Sequence, residues 1–378
     1  MDVVVLGAGL VGGPMAQDLA QDADTVVTVA DNDLEALRRV HAHAPQISAV
    51  EADLSSAEKI TELVAGSDFV LSAVPGFMGF QTLKTCILAG KNVVDIAFFA
   101  ENPFDLDKLA KEVGVTAVVD CGVAPGMSNV LIGHAGRQLD KIERALIYVG
   151  GLPELRKWPF EYKAGFSPID VIEEYTRPAR YVENGQVVVR PALSDPELLD
   201  FPRVGTLEAF NTDGLRTLAD TINAPNLKEK TLRYPGHIEK MAVLRETGFF
   251  DTNPIEIGGT EIRPVDFTSK LLFPKWKLEQ GEVDITVMRV IVEGLVADRR
   301  RQFTYELHDR FDPVTGIHSM ARTTGYTATV ALRLLADGLY KEPGITPPEY
   351  FGRDEACVAY LLDGLRQRGV FYEETSTP

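Results

Sequence analysis

Cysteine is scarce. The 378 residues contain three, Cys86, Cys121 and Cys357, with no Cys-x-x-Cys pair. A disulfide framework and a zinc cluster are both unexpected. There is no run of 18 or more apolar residues, so no transmembrane helix is expected. The first residues have no basic segment, and their apolar run enters a glycine loop instead of a cleavage site, which argues against a secretory signal. Together these features suggest a reduced, cytoplasmic setting. Positive charge is in deficit, with 38 Lys and Arg against 55 Asp and Glu and a net charge of −17. Such a surface repels nucleic acid and anionic membranes, so neither is expected as a partner. No P-loop, Gly-x-Ser-x-Gly elbow, zinc-protease helix or metal cluster occurs, and no metal is expected.

What the chain does have begins at Met1. An apolar run of strand length ends in Gly7-x-Gly9-x-x-Gly12, and the helix-compatible stretch Met15 to Leu19 follows. This order is the dinucleotide-binding fingerprint. Gly7 allows the tight turn, Gly9 leaves room for a pyrophosphate, and Gly12 lets helix and strand pack closely. The helix N-terminus offers N–H groups to phosphate. A second apolar run, Val26–Ala30, is closed by Asp31 at about 20 residues beyond the loop. A carboxylate there accepts ribose hydroxyls and repels a 2′-phosphate, which predicts NAD over NADP. Ser72-Ala73-Val74-Pro75-Gly76 is expected at the ligand-binding edge of the sheet. The predicted cofactor-binding residues are Gly7, Gly9, Leu10, Val11, Gly12, Asp31, Asn32, Ala73, Val74 and Pro75.

Up to about residue 120, short apolar runs alternate with amphipathic stretches. The runs Val3–Leu6, Val26–Ala30, Ile47–Val50, Phe69–Ser72, Val93–Ile96 and Val115–Val119 predict six strands. The fold class expected is α/β, a doubly wound parallel Rossmann sheet followed by an α+β domain built on a mixed sheet. The expected divisions are 1–125, 126–320 and 321–378, the last being helices that return to the Rossmann domain. In the second domain Glu183-Asn184-Gly185 signals a hairpin, and Ile238–Thr247 and Pro264–Leu272 read as helices. Arg299-Arg300-Arg301 reads as a polar turn, Val330–Leu339 as a buried helix, and Glu373–Pro378 as a fraying tail.

Acid–base candidates lie beside turns. His237 follows Tyr234-Pro235-Gly236 at a predicted helix start, where the helix dipole favours neutral imidazole. A helix cap or a core histidine accounts for it equally simply. Arg233 could grip a carboxylate through two parallel hydrogen bonds. Tyr234, Tyr162 and Lys163 are further polar candidates, and Asp95 ends the fifth predicted strand on the ligand-binding edge.

Seven segments together resemble the saccharopine dehydrogenase-like reductases. They are the Gly7–Gly12 loop, Val119–Met127, Gly150-Gly151-Leu152-Pro153, Phe166-Ser167-Pro168, Arg177-Pro178-Ala179, Lys230–His237 and Ala321–Tyr326. Within that group the chain looks most like the lysine 6-dehydrogenase branch. The resemblance implies NAD-dependent oxidation of the ε-amine of L-lysine, or of a closely related amino acid, to the semialdehyde and ammonia. It also implies a homodimer or larger assembly. On this reading Arg233, with Arg180 or Arg322, engages the substrate carboxylate, and His237 or Asp95 takes a proton from the ammonium. Tyr162, Lys163 and Tyr234 complete the substrate-binding set. The alternatives are a saccharopine- or carboxynorspermidine-type reductase and a noncatalytic NAD-binding protein. One departure bears on the choice: Ala124 stands before Pro125-Gly126, where glutamate-forming saccharopine reductases usually carry aspartate.

Overall fold

The computed structural model describes residues 1–279 and 281–377. The chain forms two compact units, Met1–Leu139 with Met320–Tyr372, and Asp140–Ser319 with the residues from Glu373 onward. The first unit opens with β1 (Asp2–Leu6), α1 (Gly12–Leu19), β2 (Val26–Asp31), α2 (Leu34–His43), β3 (Ser48–Glu51) and α3 (Ala57–Val64). It continues with β4 (Phe69–Ser72), α4 (Gly76–Leu88), β5 (Asn92–Asp95), α5 (Asp107–Val113), β6 (Thr116–Val118) and α6 (Met127–Arg137). The second unit supplies β7 (Lys141–Pro153), α7 (Pro168–Thr176), β8 (Ala179–Glu183), β9 (Gln186–Arg190), β10 (Glu197–Phe201) and β11 (Gly205–Asn211). There follow α8 (Leu218–Thr221), β12 (Asn226–Arg233), α9 (His237–Glu246), β13 (Ile255–Ile257), β14 (Thr260–Ile262), α10 (Pro264–Trp276), β15 (Asp284–Val296) and β16 (Arg299–Arg310). The chain then returns through α11 (Ser319–Ala336), β17 (Gly344–Thr346), α12 (Glu349–Gly352) and α13 (Glu355–Gln367), and ends in β18 (Tyr372–Thr377).

The first unit is a parallel sheet in the order β17-β6-β5-β4-β1-β2-β3. A parallel sheet covered on both faces needs strands that are apolar throughout, and Val3-Val4-Val5-Leu6 meets that need. Val4, Leu6, Val70, Leu83, Ile87 and Phe99 share one of its cores. The returning helices are tied to α1 by ions. Asp18 is 3% exposed. Its carboxylate accepts from Thr329 Oγ1 at 2.5 Å, Arg333 Nη1 at 2.7 Å and Arg368 Nε at 2.7 Å. Asp22 takes Arg333 Nε at 2.7 Å.

The second unit is a mixed sheet in the order β10-β11-β12-β7-β15-β16-β18, with β8 on β12 and β9 on β8. β12 and β7 run parallel, and the pairs β11–β12, β7–β15 and β15–β16 are antiparallel. Alternation puts Glu229, Thr231 and Arg233 on one face of β12 and Lys228, Lys230 and Leu232 on the other. The first face is covered by a core of Tyr162, Val171, Tyr175, Phe210, Ile238 and Trp276, drawn largely from α7, α9 and α10. Tyr148, Leu152, Leu207, Leu232 and Val287 pack on the second.

The expected fold class is therefore the observed one, with local corrections. Arg299, Arg300 and Arg301 are not a turn: they open β16, paired to Val296, Leu295 and Gly294. The turn is only Ala297-Asp298, both at positive φ. Glu373–Thr377 does not fray but forms most of β18 beside β16; Pro378 lies outside the described residues. The helix expected from Val330 begins at Ser319, and β10, β12 and β17 are additional strands.

Candidate functional site

The glycine loop fits a dinucleotide. Gly7 lies at φ +105°, and a Cβ there would stand 2.7 Å from the Ala73 carbonyl oxygen. A Cβ on Gly12 would come within 2.1 Å of the Gly7 oxygen, so α1 can approach the loop only without one. Gly9 faces open space, with nothing within 4 Å of such a Cβ. That is the room a diphosphate requires. No side chain caps α1; its Gly13 N–H turns back to the Gly9 carbonyl at 3.1 Å and Pro14 has none, so the anion contact of this helix start falls to the backbone at Gly12. Leu10 is exposed and Val11 buried beside the loop. Asp31 accepts from Ala8 N at 2.6 Å and from Asp33 N at 2.9 Å, which ties the end of β2 to the glycine loop. Asn32 beside it is exposed. Ala73, Val74 and Pro75 bridge β4 and α4, with Pro75 at the N-cap. NAD is the cofactor this unit fits: it would rest its ribose on Asp31, and when bound it accepts hydride. Asp31→Ser should narrow the preference for NAD over NADP by about tenfold or more. Titration of both cofactors checks this, and an unchanged ratio rejects Asp31 as the discriminator.

Asp95 is buried at the end of β5, in register with Ser72 of β4. Its Oδ2 accepts from Ala97 N at 3.2 Å, and its carbonyl from Cys121 N at 3.0 Å. Burial first, and the charge of Asp95 second, push the Cys86 thiol up to about 12 and raise Cys121 as well. Both are protonated packing residues, not nucleophiles.

In the second unit, Arg233, His237 and Tyr162 come together around two residues without an assigned role in the sequence reading, Glu174 and Tyr175 of α7. Arg233 donates from Nη2 to Glu174 Oε2 at 2.5 Å, from Nη1 to the Leu232 carbonyl at 2.9 Å and from Nε to the Tyr175 hydroxyl at 3.4 Å. The guanidinium also lies over the Tyr162 ring, 4.5 Å from its centroid. His237 Nδ1 is 2.8 Å from the Phe160 carbonyl, and Nε2 is 2.9 Å from the Tyr175 hydroxyl. The ends of this relay set its polarity. Arginine only donates and a carbonyl only accepts. Tyr175 therefore donates to Nε2, and His237 carries its proton on Nδ1. Burial first, then Arg233, lowers the imidazole to about 3, so His237 is neutral. Both of its nitrogens are satisfied inside the unit, and it pins the Phe160–Tyr162 segment.

The remaining predicted residues have other partners. Lys163 Nζ reaches the Lys277 carbonyl at 2.8 Å and Glu282 at 3.1 Å. Tyr234 donates to the Pro153 carbonyl at 2.9 Å. Arg180 forms a two-toothed pair with Asp213, both contacts at 2.9 Å. Arg322 belongs to the first unit and donates to the carbonyls of Arg368 and Gly369 at 3.1 and 3.3 Å. Glu174 and Tyr175 had one sequence signal, a polar pair closing an apolar helical stretch just before Arg177-Pro178-Ala179.

Glu229 adds a pH-sensitive element. It is buried and accepts from Thr212 Oγ1 at 2.5 Å and Gly214 N at 3.2 Å. Burial pushes its carboxyl up to about 8. A raised folded value stabilises the fold at low pH and is lost as pH rises toward about 8. His237, lowered to about 3, acts oppositely: its contribution is present above the ordinary histidine value and lost below it. Between about pH 6.5 and pH 8, Glu229 therefore acts without that opposition. The unfolding temperature of the second unit's transition is expected to fall across this window, and Glu229→Gln to flatten the fall. Calorimetry that gave the same slope for both proteins would reject Glu229 as the source.

Comparison with known proteins divides the chain at about residue 120, and the second matched segment includes residues of both compact units. Residues 3–118 match the model described as saccharopine dehydrogenase NADP binding domain, and residues 122–370 match the saccharopine dehydrogenase C-terminal domain. Alpha-aminoadipic semialdehyde synthase of Bos taurus is 25% identical over 99% of this chain and 48% of its own length. The chain thus spans about half the length of such mammalian relatives. The saccharopine dehydrogenase [NADP(+), L-glutamate-forming] of Pyricularia oryzae is 26% identical over 79% of this chain and 69% of its own. The apo saccharopine dehydrogenase structure from Saccharomyces cerevisiae superposes with TM-score 0.80 at 20% identity, covering 100% of both chains. The cytoplasmic expectation is corrected by these relatives, since the synthases from Bos taurus, Mus musculus and Rattus norvegicus are named as mitochondrial. Reduced thiols do not tell one reducing compartment from another. No helix among the described residues is long and apolar enough to cross a membrane. With a dinucleotide cradle at its start and both of the family's segments matched, over residues 3–118 and 122–370, the chain belongs to the saccharopine dehydrogenase family.

Proposed function

We propose that the protein is an NAD-dependent dehydrogenase acting on the carbon–nitrogen bond of a secondary amine built from an amino acid, of the saccharopine or carboxynorspermidine type. The observation that carries this reading is the buried network made by Lys230–His237, which lies within the range that matches the family's C-terminal domain. It joins Arg233, Tyr175 and neutral His237 into one fixed relay. In this proposal the amine must shed its proton before the adjacent carbon is oxidised, and Asp95 is the group that receives it. His237 acts as a positioning residue that holds the Phe160–Tyr162 segment.

A second reading, oxidative deamination of the ε-amine of L-lysine, is favoured by Ala124, because the aspartate usual in glutamate-forming reductases is absent there. The two are separated by incubating the protein with saccharopine, carboxynorspermidine and L-lysine, each with NAD and with NADP, while following reduced cofactor and ammonia. Cofactor reduction without ammonia from a secondary amine supports the first reading. Ammonia from lysine supports the second. No reduced cofactor from any of the three rejects both.

A further inference from the structure

Arg233 was expected to meet a substrate carboxylate, yet its side chain is 3% exposed and its charge is spent inside the unit. Its partner is the more exposed of the two. The Glu174 side chain is 18% exposed. Only Oε2 is engaged, by Arg233; among the described residues Oε1 carries no hydrogen bond. We propose that Glu174 determines specificity at this site, its Oε1 binding an ammonium group of the substrate while Arg233 holds Oε2 from behind. This rests on the reading of the substrate as an amine-bearing amino acid, and it reverses the charge expected of the site: a carboxylate is presented, not an arginine.

Three features support the assignment. The 2.5 Å contact from Arg233 Nη2 anchors Oε2, which leaves Oε1 of the partly exposed side chain as the acceptor for a donor. Burial raises the Glu174 carboxyl despite the opposing pull of Arg233, and Asp170 on the same helix adds to the rise. The carboxylate is thus under-compensated, and a cation at Oε1 would offset that deficit. Tyr162 and Tyr175, both buried, pack beside Arg233 and hold the guanidinium that backs Glu174.

The test is calorimetric titration of the full chain, saturated with NAD, with L-lysine, 6-aminohexanoate and L-norleucine. The second ligand lacks the α-ammonium and the third the ε-ammonium. The native protein is expected to lose about tenfold or more in affinity on one of these deletions, about 1.4 kcal/mol. Glu174→Gln should abolish that discrimination, and Glu174→Asp, which keeps the charge but withdraws it by a methylene, should restore part of it. Thermal unfolding checks that the variants fold. If Glu174→Gln does not fold, Glu174→Asp decides, with a reduced ratio expected and an unchanged ratio overturning the proposal. Absence of lysine binding, no preference in the native protein, or full discrimination in Glu174→Gln would also overturn it. The dehydrogenase reading fails separately. Discrimination through Glu174 without cofactor reduction by any amine would sink that reading alone, whereas turnover with discrimination unaffected by Glu174→Gln would sink this one alone.

Discussion

Asp95→Asn is expected to lower kcat by about 10²–10⁴-fold while leaving the dissociation constant for NAD unchanged. The size follows from what a positioned proton acceptor contributes to a transition state. The selectivity follows from where Asp95 sits. β5 pairs with β4 so that Asp95 lies beside Ser72, at the strand edge from which the Ala73-Val74-Pro75 loop departs. Ligands of open α/β sheets bind at this carboxyl edge. Asparagine has nearly the same volume, and its carbonyl oxygen can still accept from Ala97 N, so the turn after β5 is preserved. What it lacks is a carboxylate to receive the amine's proton. Steady-state cofactor reduction with whichever amine turns over gives kcat, and fluorescence titration gives the affinity for NAD. A variant with native kcat but a lower unfolding temperature would make Asp95 a structural tie of the β5 turn and nothing more.

The second large effect concerns stability. Asp18→Ala is expected to destabilise the first unit by about 3–5 kcal/mol, because it strands charges that are largely withheld from bulk water. Asp18 receives two guanidinium groups and a hydroxyl. The Arg333 and Arg368 side chains are 13% and 17% exposed, so neither recovers full hydration when its carboxylate is removed. Asp22 retains one contact to Arg333, which keeps the loss from being larger. Since the protein has two units, a single melting temperature would mix their transitions. Hydrogen exchange of α11 and α13 amides reads the effect where it occurs. Faster exchange confined to these helices is expected; unchanged protection would show that the ion cluster contributes little net stability.

The relation between sequence and structure differs sharply between the two units. The first declares itself locally, because β1, β2, β4 and β5 are short, continuous apolar runs separated by amphipathic helices, and the glycine spacing needs no partner to be read. β17 escapes such reading: three residues carry no period, and Gly344-Ile345-Thr346 becomes a strand only because Thr116-Ala117-Val118 is there to pair with it. Arg299–Arg301 misleads for the same reason. Three arginines look like solvated turn, but the register of β15 continues past them and backbone pairing prevails over side-chain preference. In the site, Arg233 and His237 stand out by type and context. Their partners do not, because Glu174 and Tyr175 arrive from a helix some sixty residues earlier. An arginine's sequence neighbours cannot say whether its charge is presented to a ligand or consumed by an internal carboxylate.

The long return of the chain has a consequence for synthesis. Residues 140–319 are one uninterrupted stretch, and all but one of the strands in their sheet come from it. The first unit's sheet instead waits for β17, and its ion cluster for Arg333 and Arg368. On the ribosome residues 140–319 can therefore close their sheet before residues 1–139 can, and the earlier segment is the later of the two to reach its final stability. A chain truncated just before residue 320 should have a second unit that resists protease while its glycine loop is still cleaved.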